Sequence, residues 1–90
     1  MYTFIFEYRK GTYISQIMAE TISIAISNWA STIDGSIIPN FTSVDRDALI
    51  NELKKEENTP VAIKKMSNVW CVFFKIRRSY SLLNIVLTRE

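Results

Sequence analysis

The fold of this chain is decided by two neighbouring stretches, Asn68-Val69-Trp70-Cys71-Val72-Phe73-Phe74-Lys75-Ile76 and Leu82-Leu83-Asn84-Ile85-Val86-Leu87-Thr88. Each is short and rich in β-branched and aromatic residues, so each predicts a β-strand. The first stretch is apolar on both of its alternating faces, which is typical of a strand inside a sheet. The polar segment 77–81 between them predicts a turn. We expect the rest of the chain to extend and cover the sheet that these two strands begin.

The N-terminal residues predict a β-hairpin. Aromatic residues occupy alternate positions from Tyr2 to Tyr8, which gives a strand with one aromatic face. Residues 12–17 have the composition of the return strand. Because glycine adopts positive φ without strain, we expect Lys10 and Gly11 to form the tight turn between these strands.

Two helical patterns follow the hairpin. Apolar residues recur every three or four positions over residues 19–33, which predicts an amphipathic helix that needs the sheet for stability, because β-branched residues disfavour it. Gly35 is expected to end this helix in the left-handed conformation. Thr42 and Asp45 have the spacing of a capping box at the start of a second helix, and Pro60 marks its end. The apolar stripe of the second helix contains Val44, Ala48, Leu49 and Leu53.

Residues 61–65 predict a further short strand. Lys64 and Lys65 suit a sheet edge, where charge discourages pairing with other chains. The order of elements is then ββααβββ, with the strands and helices segregated rather than alternating. We therefore predict one α+β domain over residues 1–90, built from a single, mostly antiparallel sheet of about five strands with two helices packed on one face.

The composition is that of a small globular protein. Apolar residues make up 48% and charged residues 22% of the 90 positions, and the formal net charge is +2. This excess is well below that of a dedicated nucleic-acid-binding domain. The N-terminal residues lack the pattern of a signal peptide, and the stretch 14–33 contains too many polar residues for a membrane span. We expect a cytoplasmic protein that does not enter a membrane.

The residue types available for catalysis are restricted. The sequence contains no histidine and a single cysteine, Cys71, so neither the common zinc sites nor histidine-based nucleophile arrangements are available within the chain. Cys71 lies in a stretch where a buried thiol packs as a small hydrophobic group. The carboxylates are scattered, and the isolated Gly11 and Gly35 form neither a phosphate loop nor a dinucleotide fingerprint. We predict no catalytic, metal or cofactor site and a non-enzymatic protein; a small enzyme without histidine chemistry remains the second alternative.

Association with protein is the function that the sequence favours. The aromatic strand at the N-terminus and the two-sided strand around Trp70 supply more apolar surface than two helices on one face should cover, and exposed apolar patches mark interfaces. The partner is a second copy of the chain, as a homodimer, or an unlike protein. The candidate interface consists of Tyr2, Phe4, Phe6, Tyr8 and Tyr13.

Binding of single-stranded nucleic acid is the first alternative. Basic residues flank the predicted turns at both ends of the chain, and a folded sheet could gather them beside aromatic side chains, as single-strand-binding surfaces do. The small net charge argues against strong phosphate-driven binding. The candidate contacts are Arg9, Lys10, Lys75, Arg77, Arg78 and Tyr80.

Overall fold

A computed structural model describes residues 1–88 and shows an α+β fold with one antiparallel sheet and two helices, as the sequence predicted. The strands are β1 (Tyr2–Tyr8), β2 (Gly11–Ile17), β3 (Val61–Ala62), β4 (Val69–Ile76) and β5 (Ser79–Leu87). The helices are α1 (Ile22–Thr32) and α2 (Ser43–Leu53), and a single 3-10 turn covers Glu56–Asn58. Arg89 and Glu90, which the predicted domain includes, lie outside the described residues.

The sheet joins the two ends of the chain. Its strand order is β2-β1-β5-β4-β3, and every neighbouring pair is antiparallel. β1 pairs with β5 from Tyr2 opposite Leu87 to Tyr8 opposite Ser81, so the N-terminal hairpin continues directly into the C-terminal one. β4 lies inside the sheet and β3 at its edge, which confirms both of those predictions. Because β1 and β5 pair in this register, the turn after β1 and the turn before β5 lie at the same end of the sheet.

Both helices pack on one face of the sheet, and Trp29 of α1 is the centre of the core. The Trp29 ring is completely buried; it stacks on Phe4 with 5.1 Å between ring centroids and meets Phe6 edge to face, also at 5.1 Å. Leu49 of α2 is equally buried. Aromatic pairs of this geometry add about 0.5–1.5 kcal/mol to the burial of apolar area. The contacts of Trp29 therefore determine which face of the sheet the helices cover.

This packing corrects the predicted protein interface. Tyr2, Phe4, Phe6 and Tyr8 are buried in the core beneath the helices, and Tyr13 packs partly buried against the same cluster. The prediction was wrong because these residues have the largest apolar surfaces of the hairpin, and covering them removes the most apolar area from water. The uncovered face of β1 is the one that carries Thr3, Ile5 and Glu7.

The helix boundaries follow local capping. The Thr21 hydroxyl accepts a hydrogen bond from the Ile24 amide at 3.2 Å, so α1 begins at Ile22 rather than at the predicted residue 19. The helix ends because Ile33 adopts an extended conformation, φ −75° and ψ 124°, and not because Gly35 takes a left-handed one. The helix ends before Ile33 because the Ile33 side chain is buried in the core. At the start of α2, the capping box between Thr42 and Asp45 is present as predicted.

The first hairpin turn differs from the sequence prediction. Positive φ angles occur at Arg9 (48°) and Lys10 (66°), whereas Gly11 already belongs to β2 and has no positive φ. Gly11 instead lies close to an aromatic side chain. A Cβ atom at this position would collide with the ring of Tyr13, two residues further along the same face of β2. The glycine therefore makes room for an aromatic ring instead of forming the turn.

Two other boundaries and the burial of one residue also differ from prediction. The second hairpin turn consists of Arg77 and Arg78 alone, because Ser79 and Tyr80 already pair with β4. β3 is limited to Val61–Ala62, since Ile63 to Met66 closes into a turn through the Met66 amide and the Ile63 carbonyl. Val44, expected on the apolar stripe of α2, is exposed because it faces away from Leu49 and the sheet. Within residues 1–88, neither helix has the length and apolar character that crossing a bilayer requires.

Candidate functional site: the open sheet face

The face of the sheet opposite the helices is covered by no other element of residues 1–88. Because successive side chains of a strand point to opposite faces, the residues between the core positions all belong to this open face. In the order of the chain they are Thr3, Ile5, Glu7, Thr12, Ile14, Gln16, Val61, Val69, Cys71, Phe73, Lys75, Tyr80, Leu82, Asn84 and Val86. The open face is thus mostly apolar, with its charged members near one end.

One half of the open face is an apolar patch, defined here as Ile5, Ile14, Val61, Val69, Cys71 and Val86. Residues directly opposite each other form one row across all five strands, called the apolar row below although its central member, Asn84, is polar: Ile14, Ile5, Asn84, Cys71 and Val61. The two ends of this row are well exposed, Ile14 by 67% and Val61 by 63%. An apolar patch of several aliphatic side chains on an uncovered sheet face is typical of a surface that binds a partner.

The other half of the open face carries an exposed aromatic pair. Phe73 of β4 and Tyr80 of β5 stack with 5.5 Å between ring centroids and 16° between ring planes. Their exposed fractions are 63% and 64%, although each ring already contacts the other. Lys75 places its ammonium group 4.9 Å from the Tyr80 ring centroid, which is a cation–π distance.

A basic end adjoins this aromatic pair; it consists of Arg9, Lys10, Lys75, Arg77 and Arg78. The two hairpin turns meet here, since Arg9 Nε donates a hydrogen bond to Ser79 Oγ at 3.3 Å and Arg9, Arg77 and Arg78 line one shared depression. The guanidinium of Arg9 also lies 4.9 Å from the ring centroid of Tyr8. The folded sheet therefore gathers basic residues from distant parts of the sequence at one end.

Between the aromatic pair and the first hairpin turn lies a shallow cleft of about 400 Å³, called the turn cleft below. Its lining includes Glu7, Arg9, Lys10, Thr12, Phe73, Tyr80 and Leu82. It combines aromatic surface, cationic groups and one carboxylate. It is open to solvent along its length, unlike the deep pocket that would favour the enzyme alternative, and the absence of catalytic activity stays a prediction.

The buried carboxylate of Asp45 contacts the basic end from the side of the sheet that the helices cover. Asp45 is 2% exposed and accepts hydrogen bonds from the Thr42 amide at 3.0 Å and from Arg77 Nη1 at 3.2 Å. The bond from the Thr42 backbone, assisted by Arg77, holds the pKa of the Asp45 carboxyl below its usual value in spite of burial. Because this carboxylate stays ionised, it fixes Arg77 in place while neutralising part of its charge.

The structure places one predicted group of residues together, and it exposes other residues that the sequence analysis did not single out. Arg9, Lys10, Lys75, Arg77, Arg78 and Tyr80 were grouped in sequence as one candidate set, and the structure brings them together at one end of the sheet. Phe73, Ile14 and Val61 were not singled out. Strand alternation was the available signal for Phe73, which lies between the buried residues Val72 and Phe74.

The described residues contain no group of three or more cysteine, aspartate or glutamate side chains placed to hold a metal ion. Cys71 is a free thiol, half-buried in the apolar row. Comparisons with protein-family models, curated proteins and solved structures find no match for this chain. The functional inference therefore depends on the geometry of the open face.

Proposed function

We propose that this protein is a non-enzymatic, cytoplasmic domain that associates with a second copy of itself through the apolar patch of the open face. The observation that carries the proposal is the row across all five strands, which is apolar at every position except Asn84 in β5 and has Ile14 and Val61 exposed at its ends. Burial of such surface contributes roughly 25 cal/mol per Å² removed from water. The open face of a second copy offers an apolar patch of the same kind.

Charge supports one orientation of the two copies. The charged residues of the open face, Glu7 and Lys75, lie toward the hairpin turns, and the apolar patch carries no charge. If like ends met, the basic end of one copy would lie against that of the other, and the repulsion would oppose association. Apolar patches that meet with the turns pointing in opposite directions avoid this contact, and sheets stacked in this way cross at about 30°.

The available area indicates a weak and reversible dimer. The six residues of the apolar patch lie in two rows about 6.8 Å apart on five strands spaced by about 4.8 Å, which gives roughly 300 Å² per copy and roughly 600 Å² in total. Stable, specific interfaces bury about 1,200–2,000 Å² in total, and an interface smaller than this has low affinity. We therefore expect a monomer at low concentration and a dimer in the high micromolar range.

Sedimentation equilibrium over a range of concentrations tests this proposal. Val61→Lys should abolish concentration-dependent dimerisation, because it places a charge at the end of the apolar row. Val44→Lys is the matched control: Val44 on α2 is 58% exposed, close to the value for Val61, and lies away from the open face. This control should dimerise like the unmodified protein.

Cys71 provides a second readout without a substitution. Its thiol lies within the apolar row, so dimerisation should bury it and slow its alkylation as protein concentration rises. In the Val61→Lys variant the alkylation rate should not depend on concentration. A strictly monomeric protein at high micromolar concentration, or a dimer that Val61→Lys leaves intact, would contradict the proposal.

A further inference from the structure

The two hairpin turns at the basic end contain residues that are uncommon in tight hairpin turns. Two-residue hairpin turns favour Asn-Gly, because positive φ is required and these residues tolerate it. Here the positions with positive φ are Arg9 (48°), Lys10 (66°) and Arg77 (57°). A non-glycine residue in this region carries strain of about 1–3 kcal/mol. Three cationic side chains therefore lie at such positions at one end of the sheet, and a fourth, Lys65, lies at the opposite end.

Two of these arginines are held in place rather than extending freely into solvent. Arg9 is fixed by the hydrogen bond from its Nε to Ser79 and by the Tyr8 ring beneath its guanidinium. Arg77 is fixed by the buried carboxylate of Asp45. Groups that are already ordered lose little conformational entropy when they bind a ligand. The basic end is therefore pre-organised to bind anionic groups.

The turn cleft adds an aromatic surface beside these cations. Phe73 and Tyr80 line the cleft together with Arg9 and Lys10, and its volume of about 400 Å³ lies at the small-ligand end of binding sites. An exposed aromatic ring stacks on any nucleobase, and neighbouring cations neutralise the phosphates on either side of it. Carboxylate-rich protein surfaces would use the cations but have no need of the aromatic pair.

The local charge balance favours an anion. Glu7 is the carboxylate within the cleft lining, and Asp45 offsets part of the charge of Arg77. The positive charges that are not offset by Asp45 therefore outnumber the negative charge of Glu7; they belong to Arg9, Lys10, Lys75 and Arg78. The low net charge of the whole chain, +2, conceals this separation, because acidic residues such as Glu56 and Glu57 lie after α2, away from the hairpin turns.

We propose that the turn cleft binds single-stranded nucleic acid. The phosphates bind to Arg9, Lys10 and Arg78, and one base stacks against the pair formed by Phe73 and Tyr80. A duplex does not fit this geometry, because its bases are stacked on each other and unavailable to the rings. The proposal is independent of self-association, since it uses the turn end of the open face and not the apolar patch.

Fluorescence anisotropy with a labelled single-stranded oligothymidylate of about 12 nucleotides, a length that suits such sites, tests the proposal across a salt series. The informative variant combines Arg9→Asn with Lys10→Gly, which removes two charges while giving the turn its preferred residues. Each lost phosphate contact lowers the slope of log affinity against log salt by about 0.7, so the slope should fall by about 1.4. If the two proteins converge at 1 M salt, binding at 0.1 M should be about 25-fold weaker.

The matched control combines Lys64→Asn with Lys65→Gly. Residues 64 and 65 form the turn between β3 and β4 at the opposite end of the sheet, and Lys65 also has positive φ, 66°. The change in charge and in turn residues is of the same kind, so thermal stability should be maintained or raised in both double variants. Only the Arg9 and Lys10 variant should lose binding.

A second arm separates base stacking from charge. Phe73→Leu combined with Tyr80→Leu should weaken oligothymidylate binding by at least about fivefold, the lower limit for one stacked base, while leaving the salt slope unchanged. The comparison probes are a duplex of the same sequence length and poly-L-glutamate of matched charge, both of which should bind more weakly than the single strand.

Several outcomes would overturn the proposal. They are the absence of oligothymidylate binding at low salt, binding with no salt dependence, and equal loss of binding in the Lys64 and Lys65 control. Equal or tighter binding of poly-L-glutamate would reassign the basic end to an acidic protein surface, and equal or tighter binding of the duplex would exclude base stacking in the cleft. Loss of dimerisation in Val61→Lys has no bearing on these measurements, so the two proposals fail separately.

Discussion

The Arg77 side chain of the second hairpin turn is paired with the buried Asp45 carboxylate of α2, with Nη1 and Oδ1 3.2 Å apart. The same carboxylate accepts a hydrogen bond from the Thr42 amide in the capping box of α2. One side chain therefore serves two structural purposes. It begins a helix, and it fastens that helix to the end of the sheet where the turn cleft lies.

Replacing this carboxylate should destabilise the protein. We expect Asp45→Asn to lower the free energy of unfolding by about 1–3 kcal/mol, because the substitution removes a charge-assisted cap and leaves Arg77 without its partner. Urea denaturation at neutral pH measures the loss. Asp47→Asn is the matched control, since Asp47 is an exposed carboxylate on the same helix, and it should change the stability by less than about 0.5 kcal/mol.

The pH dependence of that loss has a definite sign. The pKa of Asp45 is lowered in the folded protein, first by the Thr42 backbone hydrogen bond, so the folded state binds this proton less tightly than the unfolded state. The contribution of the Asp45 carboxylate to the free energy of unfolding is therefore fully present above its unfolded pKa of about 3.9, and it is lost as the pH falls below that value. The stability difference between the unmodified protein and Asp45→Asn should shrink over that acid range. A difference that stays constant down to strongly acid pH would contradict this account.

Removing the hydroxyl group of Tyr8 should not lower the stability of the protein. Its hydroxyl is buried and has no hydrogen-bond partner among the described residues. Because an unpaired buried hydroxyl carries a desolvation penalty, Tyr8→Phe should leave the free energy of unfolding unchanged or raise it by up to about 1 kcal/mol. Tyr80→Phe, at an exposed ring, should have no measurable effect. A loss of more than about 1 kcal/mol in Tyr8→Phe would show that the hydroxyl is paired after all.

The alkaline behaviour of Tyr8→Phe follows from the same burial. Desolvation raises the pKa of Tyr8 above its usual value, so the folded state favours the protonated phenol. The contribution of the Tyr8 phenol to the free energy of unfolding is fully present below its unfolded pKa of about 10, and it is lost as the pH rises above that value. The variant should therefore lose less stability than the unmodified protein in alkaline solution.

The two tryptophans should respond differently to the same substitution. Trp29 is completely buried against Phe4 and Phe6, whereas Trp70 is half-buried beside Tyr2. Trp29→Phe should lower the free energy of unfolding by about 2–4 kcal/mol, because it removes the central stack and leaves a cavity. Trp70→Phe should lower it by less than about 1.5 kcal/mol, since the change is smaller at a partly exposed site.

Fluorescence distinguishes the same two variants. With Trp70 replaced, emission comes from the buried Trp29 and should lie at shorter wavelength than the emission of Trp29→Phe, which reports the half-exposed Trp70. Urea denaturation monitored by that emission gives both free energies. Equal destabilisation by the two substitutions would contradict the central place of Trp29 in the core.

Much of the fold follows from local patterns in the chain. The alternation in β1 determines that Phe4 and Phe6 share one face and Ile5 the other, because side chains of a strand point alternately to either side. The capping box of Thr42 and Asp45 is also local, since both partners lie within one helical turn. The meeting of the two basic hairpin turns is not local, because it depends on the pairing of β1 with β5 from the other end of the chain.

Other features were decided by contacts between distant segments. Periodicity cannot tell which face of a strand the helices cover; Trp29 settled that by stacking on Phe4 and Phe6, where burial removes the most apolar area from water. The same choice leaves Ile14, Val61 and Phe73 exposed on the open face. Turn geometry was decided likewise, since β1 and β2 pair in a register that forces Arg9 and Lys10 into positive φ against their own preference. Local preference is worth about 1 kcal/mol per residue, and a complete ladder of strand hydrogen bonds with a buried core outweighs it.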